Sequence, residues 1–264
     1  SDDLQAAVTG APQTFSLTAA QGTTVTLPNG KVLEKSFRGL AESQADLFAK
    51  TVRNGLLSGE STDKIARRLK GRLRFGQPGS LRQIAQAGGE STAIANRQVM
   101  ALVRTSINQV ANETSQQVYE ANQNVTQRYR YVSTLDSRTS PICRALDGQE
   151  FEYGKGPKPP QHFNCRSTTV PVIDYKALGF TPPKPGKRAA QGGMVPANQS
   201  YGQWLNSQSK EVKADILGPE KVSYFNRLTR KYGPTDAIRK FVSQDGSELT
   251  LEQLKRRYPD VSSS

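Results

Sequence analysis

Cysteine, histidine and tryptophan are scarce in this chain of 264 residues, which has two Cys, one His and one Trp. Two cysteines cannot staple a disulfide scaffold, so the fold rests on a core of its own and a reducing compartment is the default. Long apolar runs are missing too. The longest, Val99 to Val103, falls far short of the roughly 18 residues that cross a bilayer, and no membrane partner is expected. The opening Ser1-Asp2-Asp3 is acidic and does not resemble a secretory signal. Acidic residues are the fourth shortage. Against 36 Lys and Arg stand 23 Asp and Glu, and the resulting +13 favours a polyanionic partner over a small neutral substrate. Catalytic signatures are lacking as well, because the chain has no nucleophile elbow, P-loop or HExxH.

What is present reads as an α+β chain in five parts. Residues 1–33 are rich in Thr, Ser and Gly and carry alternating valines, which suggests an extended arm or a short hairpin. Residues 34–127 are helical. They begin with the stripe Phe37, Leu40, Leu47, Phe48, Val52 and Leu56, and they end in a long amphipathic helix over 90–123. Ile94, Val99, Leu102, Val103, Ile107, Val110 and Val118 set its 3.6-residue period, with Arg104 among them as a snorkelling or salt-bridged residue. Residues 128–180 form a small, loop-rich core with strands expected at Arg128–Thr134, Glu150–Tyr153 and Thr168–Val172. The Pro, Gly and Lys of residues 181–196 suggest a semi-extended linker. Residues 197–264 are a helical extension whose sparse apolar content suggests docking on a partner. Within it, Thr250-x-x-Gln253 is a capping box flanked by a Leu249/Leu254 staple.

Charge is uneven along these parts. Residues 31–100 hold 13 basic and 6 acidic residues, and the densest run is Lys64, Arg67, Arg68, Lys70, Arg72 and Arg74. That run is either a solvated helix face or a phosphate-contacting surface for double-stranded DNA without sequence preference.

Both cysteines and the only histidine fall between Cys143 and Cys165. His162-x-x-Cys165 has the spacing of two soft zinc ligands, and Cys143 offers a third. Ser140, at the Cys-x-x-Cys position, is a poor ligand, which leaves Asp136, Asp147 or water as the fourth. Zinc, a Cys143–Cys165 disulfide formed after lysis, and a metal-free polar core remain open. A thiolate nucleophile beside His162 is a fourth reading. In the metal-free form no cofactor is needed, and Asp136 and Arg138 form a charge-assisted pair while His162 bonds a carboxylate or backbone carbonyl.

Asp136-Ser-Arg138-Thr139-x3-Cys143, Asp147-Gly148 and Pro160-x-His162-x2-Cys165-Arg166 resemble the signature of the phage Mu F-like minor head protein family. Val103-Arg104-Thr105, Tyr201-Gly-Gln-Trp204-Leu205-Asn-x-Gln208, Leu217-Gly218 and Leu249-Thr250-Leu251 extend the resemblance over roughly residues 35 to 257. Many family members have Cys-x-x-Cys and Cys-Arg-Cys where this chain has Ser140 and Ser167, which favours a structural knuckle over a metal site. The resemblance implies a structural minor head protein of a tailed phage, with no enzymatic activity. Its expected place is the virion, in the head interior or at the portal vertex, after assembly in the host cytoplasm. Portal and capsid proteins and packaged DNA are the expected partners, and head morphogenesis or genome delivery the expected role. The alternative is a nucleic-acid-cleaving or toxin-like domain built on the Cys/His cluster.

Overall fold

The computed structural model describes residues 54–55, 58–61, 64–65 and 92–261, with the exception of 245. The arm over 1–33 and all the residues of the first helical stripe, Phe37, Leu40, Leu47, Phe48, Val52 and Leu56, lie outside them. Two compact units emerge, Ser1–Gln123 with Lys158–Cys165, and Asn124–Pro157 with Arg166–Ser264.

In the first unit the principal element is α1, Thr92–Ala121, which runs 30 residues without Pro or Gly. The length matches the sequence periodicity, but the burial pattern differs. Val118, expected on the apolar stripe, is exposed, whereas Thr105, Asn112 and Gln116 are buried. Local bonding explains how polar residues are accommodated there. The Thr105 hydroxyl donates to Ala101 O at 2.7 Å and the Asn112 amide to Asn108 O at 2.8 Å, so each satisfies its donor within the helix.

The second unit is α+β. Strands β1 (Thr126–Val132), β2 (Glu150–Glu152) and β3 (Thr168–Ile173) form an antiparallel sheet in the order β2-β1-β3. The alternation along β1 decides its faces: Tyr129 and Tyr131 are fully buried, while Arg128 and Arg130 reach Glu150 at 3.3 and 2.7 Å. Between β1 and β2 lies the short helix α2 (Pro141–Leu146), with Pro at its start and Ser140 as N-cap.

The segment expected to be a linker contains a β-hairpin instead. Strands β4 (Lys187–Ala190) and β5 (Gly193–Pro196) pair antiparallel, and Leu135 makes a parallel bridge to Ala190. Gln191 N also donates to Leu135 O at 2.7 Å. Composition was a poor guide here because Lys, Gly and Ala carry little strand propensity, and the hairpin is held by side-chain anchors from elsewhere.

Helices α3 (Tyr201–Ser207), α4 (Lys210–Leu217), α5 (Pro219–Tyr232), α6 (Pro234–Arg239) and α7 (Leu251–Arg257) follow. They close on a core of their own, contrary to the expectation of docking on a partner. Trp204, Leu205, Leu217, Phe225, Leu228, Ile238, Phe241 and Leu254 are buried in one cluster with Leu135 from the loop after β1. Phe225 meets Phe241 edge-on at 6.0 Å between centroids, and Tyr201 meets Trp204 at 5.1 Å. Both faces of the Thr250/Gln253 capping box form, and Leu249 and Leu254 are buried as a staple requires.

Candidate functional site

In the second unit the signature residues lie in the turn after β1 and around α2. Asp136 accepts from both Arg166 guanidinium nitrogens, at 2.6 and 2.7 Å. It also takes the Arg138 backbone N–H and the Thr139 hydroxyl, each at 3.1 Å. Arg138 therefore contributes its backbone rather than the guanidinium expected from the sequence, and the charge partner is Arg166. The reason is geometric: two residues on, only the backbone N–H closes the tight Asx turn, and Arg166 approaches in bidentate fashion from the strand side. The Arg166 bonds hold the Asp136 carboxyl below the usual aspartate range, reinforced by Thr139 and the Arg138 N–H and opposed by burial. The Thr139 hydroxyl also donates to Thr134 O at 2.5 Å, which locks the turn.

Asp147 is the buried centre of the same region. Its carboxylate accepts from Ser133 N at 2.6 Å, Tyr201 N at 2.7 Å and the Arg188 guanidinium at 3.0 and 3.3 Å. Arg188 further donates to Ser133 O and, at 3.2 Å, to Gln199 O. One carboxylate thus joins the end of β1, the hairpin and the start of α3. Gly148 follows with a φ of 77°, a conformation that favours glycine, and this lets its N–H return to Tyr131 O at 2.8 Å.

Cys143 sits on α2, buried, with its Sγ 3.3 Å from the Tyr131 hydroxyl. Its carbonyl accepts from Ser133 Oγ at 2.6 Å. Ser140, the residue at the would-be ligand position, caps the helix by accepting from Cys143 N. Arg144 is also buried. It donates to Thr139 O and Ile216 O at 2.6 and 3.0 Å and lies over the Tyr201 ring at 5.8 Å.

His162 and Cys165 belong to the first unit, on the segment 158–165. Cys165 N donates to His162 O at 3.2 Å, and His162 Nδ1 is 2.8 Å from Phe163 O, where the sequence left a carboxylate or a backbone carbonyl as its partner. Asn164 between them has a φ of 58°, and its N–H donates to Thr105 Oγ1 on α1 at 2.9 Å. Lys158 reaches Glu113 and Glu120 of α1 at 4.0 and 3.8 Å. Cys143 and Cys165 are not joined in a disulfide. On this segment the metal-type donors are the His162 imidazole and the Cys165 thiol.

Of the basic run, the exposed Lys64 pairs with the largely buried Glu60 carboxylate at 3.5 Å, and Arg67, Arg68, Lys70, Arg72 and Arg74 lie outside the described residues. The sequence reading missed Arg188, Tyr201, Ser133 and Arg144 as partners of the signature. Tyr201 and Arg188 act on Asp147 across 54 and 41 residues, and no local spacing encodes such a bond.

Residues 46–170 match the family model of phage Mu protein F like proteins, a family of phage head morphogenesis, as the signature residues suggested. No curated protein and no solved structure matches the chain.

Proposed function

From the phage Mu F-like match over residues 46–170, we propose that this chain is a structural minor head protein of a tailed phage, bound to packaged DNA near the portal vertex. The match carries the proposal. The charge of +13 supports it, because a protein held against packaged DNA gains affinity by releasing counterions from neutralised phosphates. The use of the signature residues also supports a structural role. Asp136 is engaged by Arg166 and Thr139, and Asp147 is buried under Arg188 and two backbone N–H groups. Carboxylates committed in this way hold a fold.

Mass spectrometry of purified virions tests the reading. Detection of the chain at low copy together with portal and capsid proteins is the expected result, and absence from virions overturns it. Cleavage of DNA that vanishes in His162→Ala, with the fold intact, would replace it with the enzymatic alternative. Cys143, His162 and Cys165 are read in the same way, as structural groups without zinc. One equivalent of zinc per purified chain overturns that part.

A further inference from the structure

The charge of the C-terminal region is small as a sum and large as a pattern. Residues 226–240 and 253–264 contain eight basic and two acidic residues, while the rest of 201–264 contains three basic and six acidic. Folding brings the two basic segments together at three helix ends. Tyr232 is the last residue of α5, Lys240 the C-cap of α6 and Tyr258 the C-cap of α7. Lys240 Nζ lies 4.2 Å from the Tyr232 ring centroid and 5.0 Å from that of Tyr258. The Tyr224 hydroxyl donates to the Leu254 and Tyr258 carbonyls at 3.1 and 2.5 Å, which fixes α7 against α5. Arg227 lies over the Tyr224 ring at 5.2 Å. Around this junction Arg230, Lys231, Lys255, Arg256 and Arg257 are exposed, and Lys231 is paired with Asp260.

Basic residues in a last helical turn have an ordinary explanation, since each helix C-terminus presents roughly half a negative charge. Three ends carry about 1.5 negative charges in total, whereas the two segments hold an excess of six positive charges. Most of that excess is therefore not offset by the helix ends, and the surface attracts a polyanion. The patch also lacks the apolar anchor that a protein partner requires. Among the described residues, the exposed large hydrophobics are Val118, Phe163, Val170, Ile173, Phe180 and Met194, none of them in these segments.

We propose that the junction of the α5, α6 and α7 ends holds duplex DNA by its phosphates, without sequence preference. Lys240 stands at its centre, oriented by two tyrosine rings, and Arg230, Lys255, Arg256 and Arg257 surround it. The proposal rests on the DNA-bound reading above and places phosphate contacts in the C-terminal region rather than in the Lys64 to Arg74 run alone.

Fluorescence anisotropy with the full chain and labelled duplexes of about 30 base pairs, in two unrelated sequences, tests it between about 50 and 200 mM salt. Both duplexes should bind equally. The combined variant Arg230→Gln, Lys255→Gln, Arg256→Gln and Arg257→Gln should lower the log-log salt slope by about 3 to 4, at roughly 0.9 for each phosphate no longer neutralised. Lys240→Met, which retains a chain between the tyrosines, should lower it by about 1. Unchanged thermal midpoints confirm that both variants are folded. A slope unaffected by the quadruple variant but reduced by neutralising Lys64, Arg67, Arg68, Lys70, Arg72 and Arg74 overturns this surface and leaves DNA binding standing. Wild-type protein without salt-dependent binding overturns the DNA-bound reading itself, and this surface with it.

Discussion

Between Tyr201 and Val261 the second unit is held by rings and aliphatic chains packed in one cluster, whereas between Ser133 and Gln199 it is held by two carboxylates and the guanidinium groups that reach them. Burial in the helical part is non-directional and spread over many side chains, so any single contact is replaceable in kind. Bonding around Asp136 and Asp147 is directional and concentrated in a few atoms. A loop-rich region with short strands buries too little apolar surface to order itself, and a buried charge with its lone pairs satisfied supplies the missing constraint.

The largest effects test whether one carboxylate matters as much as one large ring. Trp204→Ala should cost about 3 to 5 kcal/mol by opening a cavity in the cluster. Asp147→Ala should cost about as much, roughly 3 to 5 kcal/mol, because it leaves the half-buried Arg188 without its carboxylate and the N–H groups of Ser133 and Tyr201 unbonded. Arg188→Met should cost a similar amount, roughly 3 to 5 kcal/mol, because the fully buried Asp147 carboxylate loses its counter-charge even though both backbone donors remain. Urea unfolding midpoints measure all three. A cost below about 1 kcal/mol for Asp147→Ala would show that the apolar cluster alone sustains the unit.

A smaller effect probes the fit where the helices meet. A Cβ at Gly202 would lie 2.1 Å from Pro234 O and 2.9 Å from Thr235 Cα, both backbone atoms that no rotamer change can clear. Gly202→Ala should therefore separate α3 from α6 and cost about 1 to 3 kcal/mol in thermal unfolding. Tolerance of alanine there would mean that the helical part adapts where the carboxylate region does not.

The two parts were also unequally legible in the sequence. Helices show themselves by periodicity and caps, and the Thr250/Gln253 box with its Leu249/Leu254 staple is read from two spacings. The first strand of the sheet follows from alternation, Tyr129 and Tyr131 against Arg128 and Arg130. The hairpin at 187–196 could not be read in this way. Its strands contain only four residues each, and its anchor is the Arg188 bond to Asp147, a contact encoded in three dimensions and not in spacing. Asp136 was recognised as a site residue but with the wrong arginine, because neighbours in sequence suggest themselves before Arg166, 30 positions away. The polar face of α1 escaped for a related reason: Thr105, Asn112 and Gln116 do not register in a hydrophobic stripe.

The smallest expected effect separates those two arginines and has a sign set by acid. The folded-state pKa of Asp136 lies below its ordinary value of 3.8, chiefly because of the Arg166 bonds. A depressed carboxylate stabilises the fold fully above the ordinary pKa and loses that contribution as the pH falls through the folded value. Thermal midpoints of the wild type should therefore drop as the pH is lowered below about 4. Asp136→Asn should be less stable than the wild type at neutral pH by about 1 kcal/mol, a modest figure because the Arg166 side chain is partly in solvent. The difference should shrink with acidification. Arg166→Met should reproduce that pattern, whereas Arg138→Ala should leave stability and its pH dependence nearly unchanged, since the turn uses only the Arg138 backbone N–H. If Arg138→Ala instead flattened the acid limb and Arg166→Met did not, the charge partner of Asp136 would be the neighbour in sequence, and the directional bonding assigned to this region would have to be redrawn.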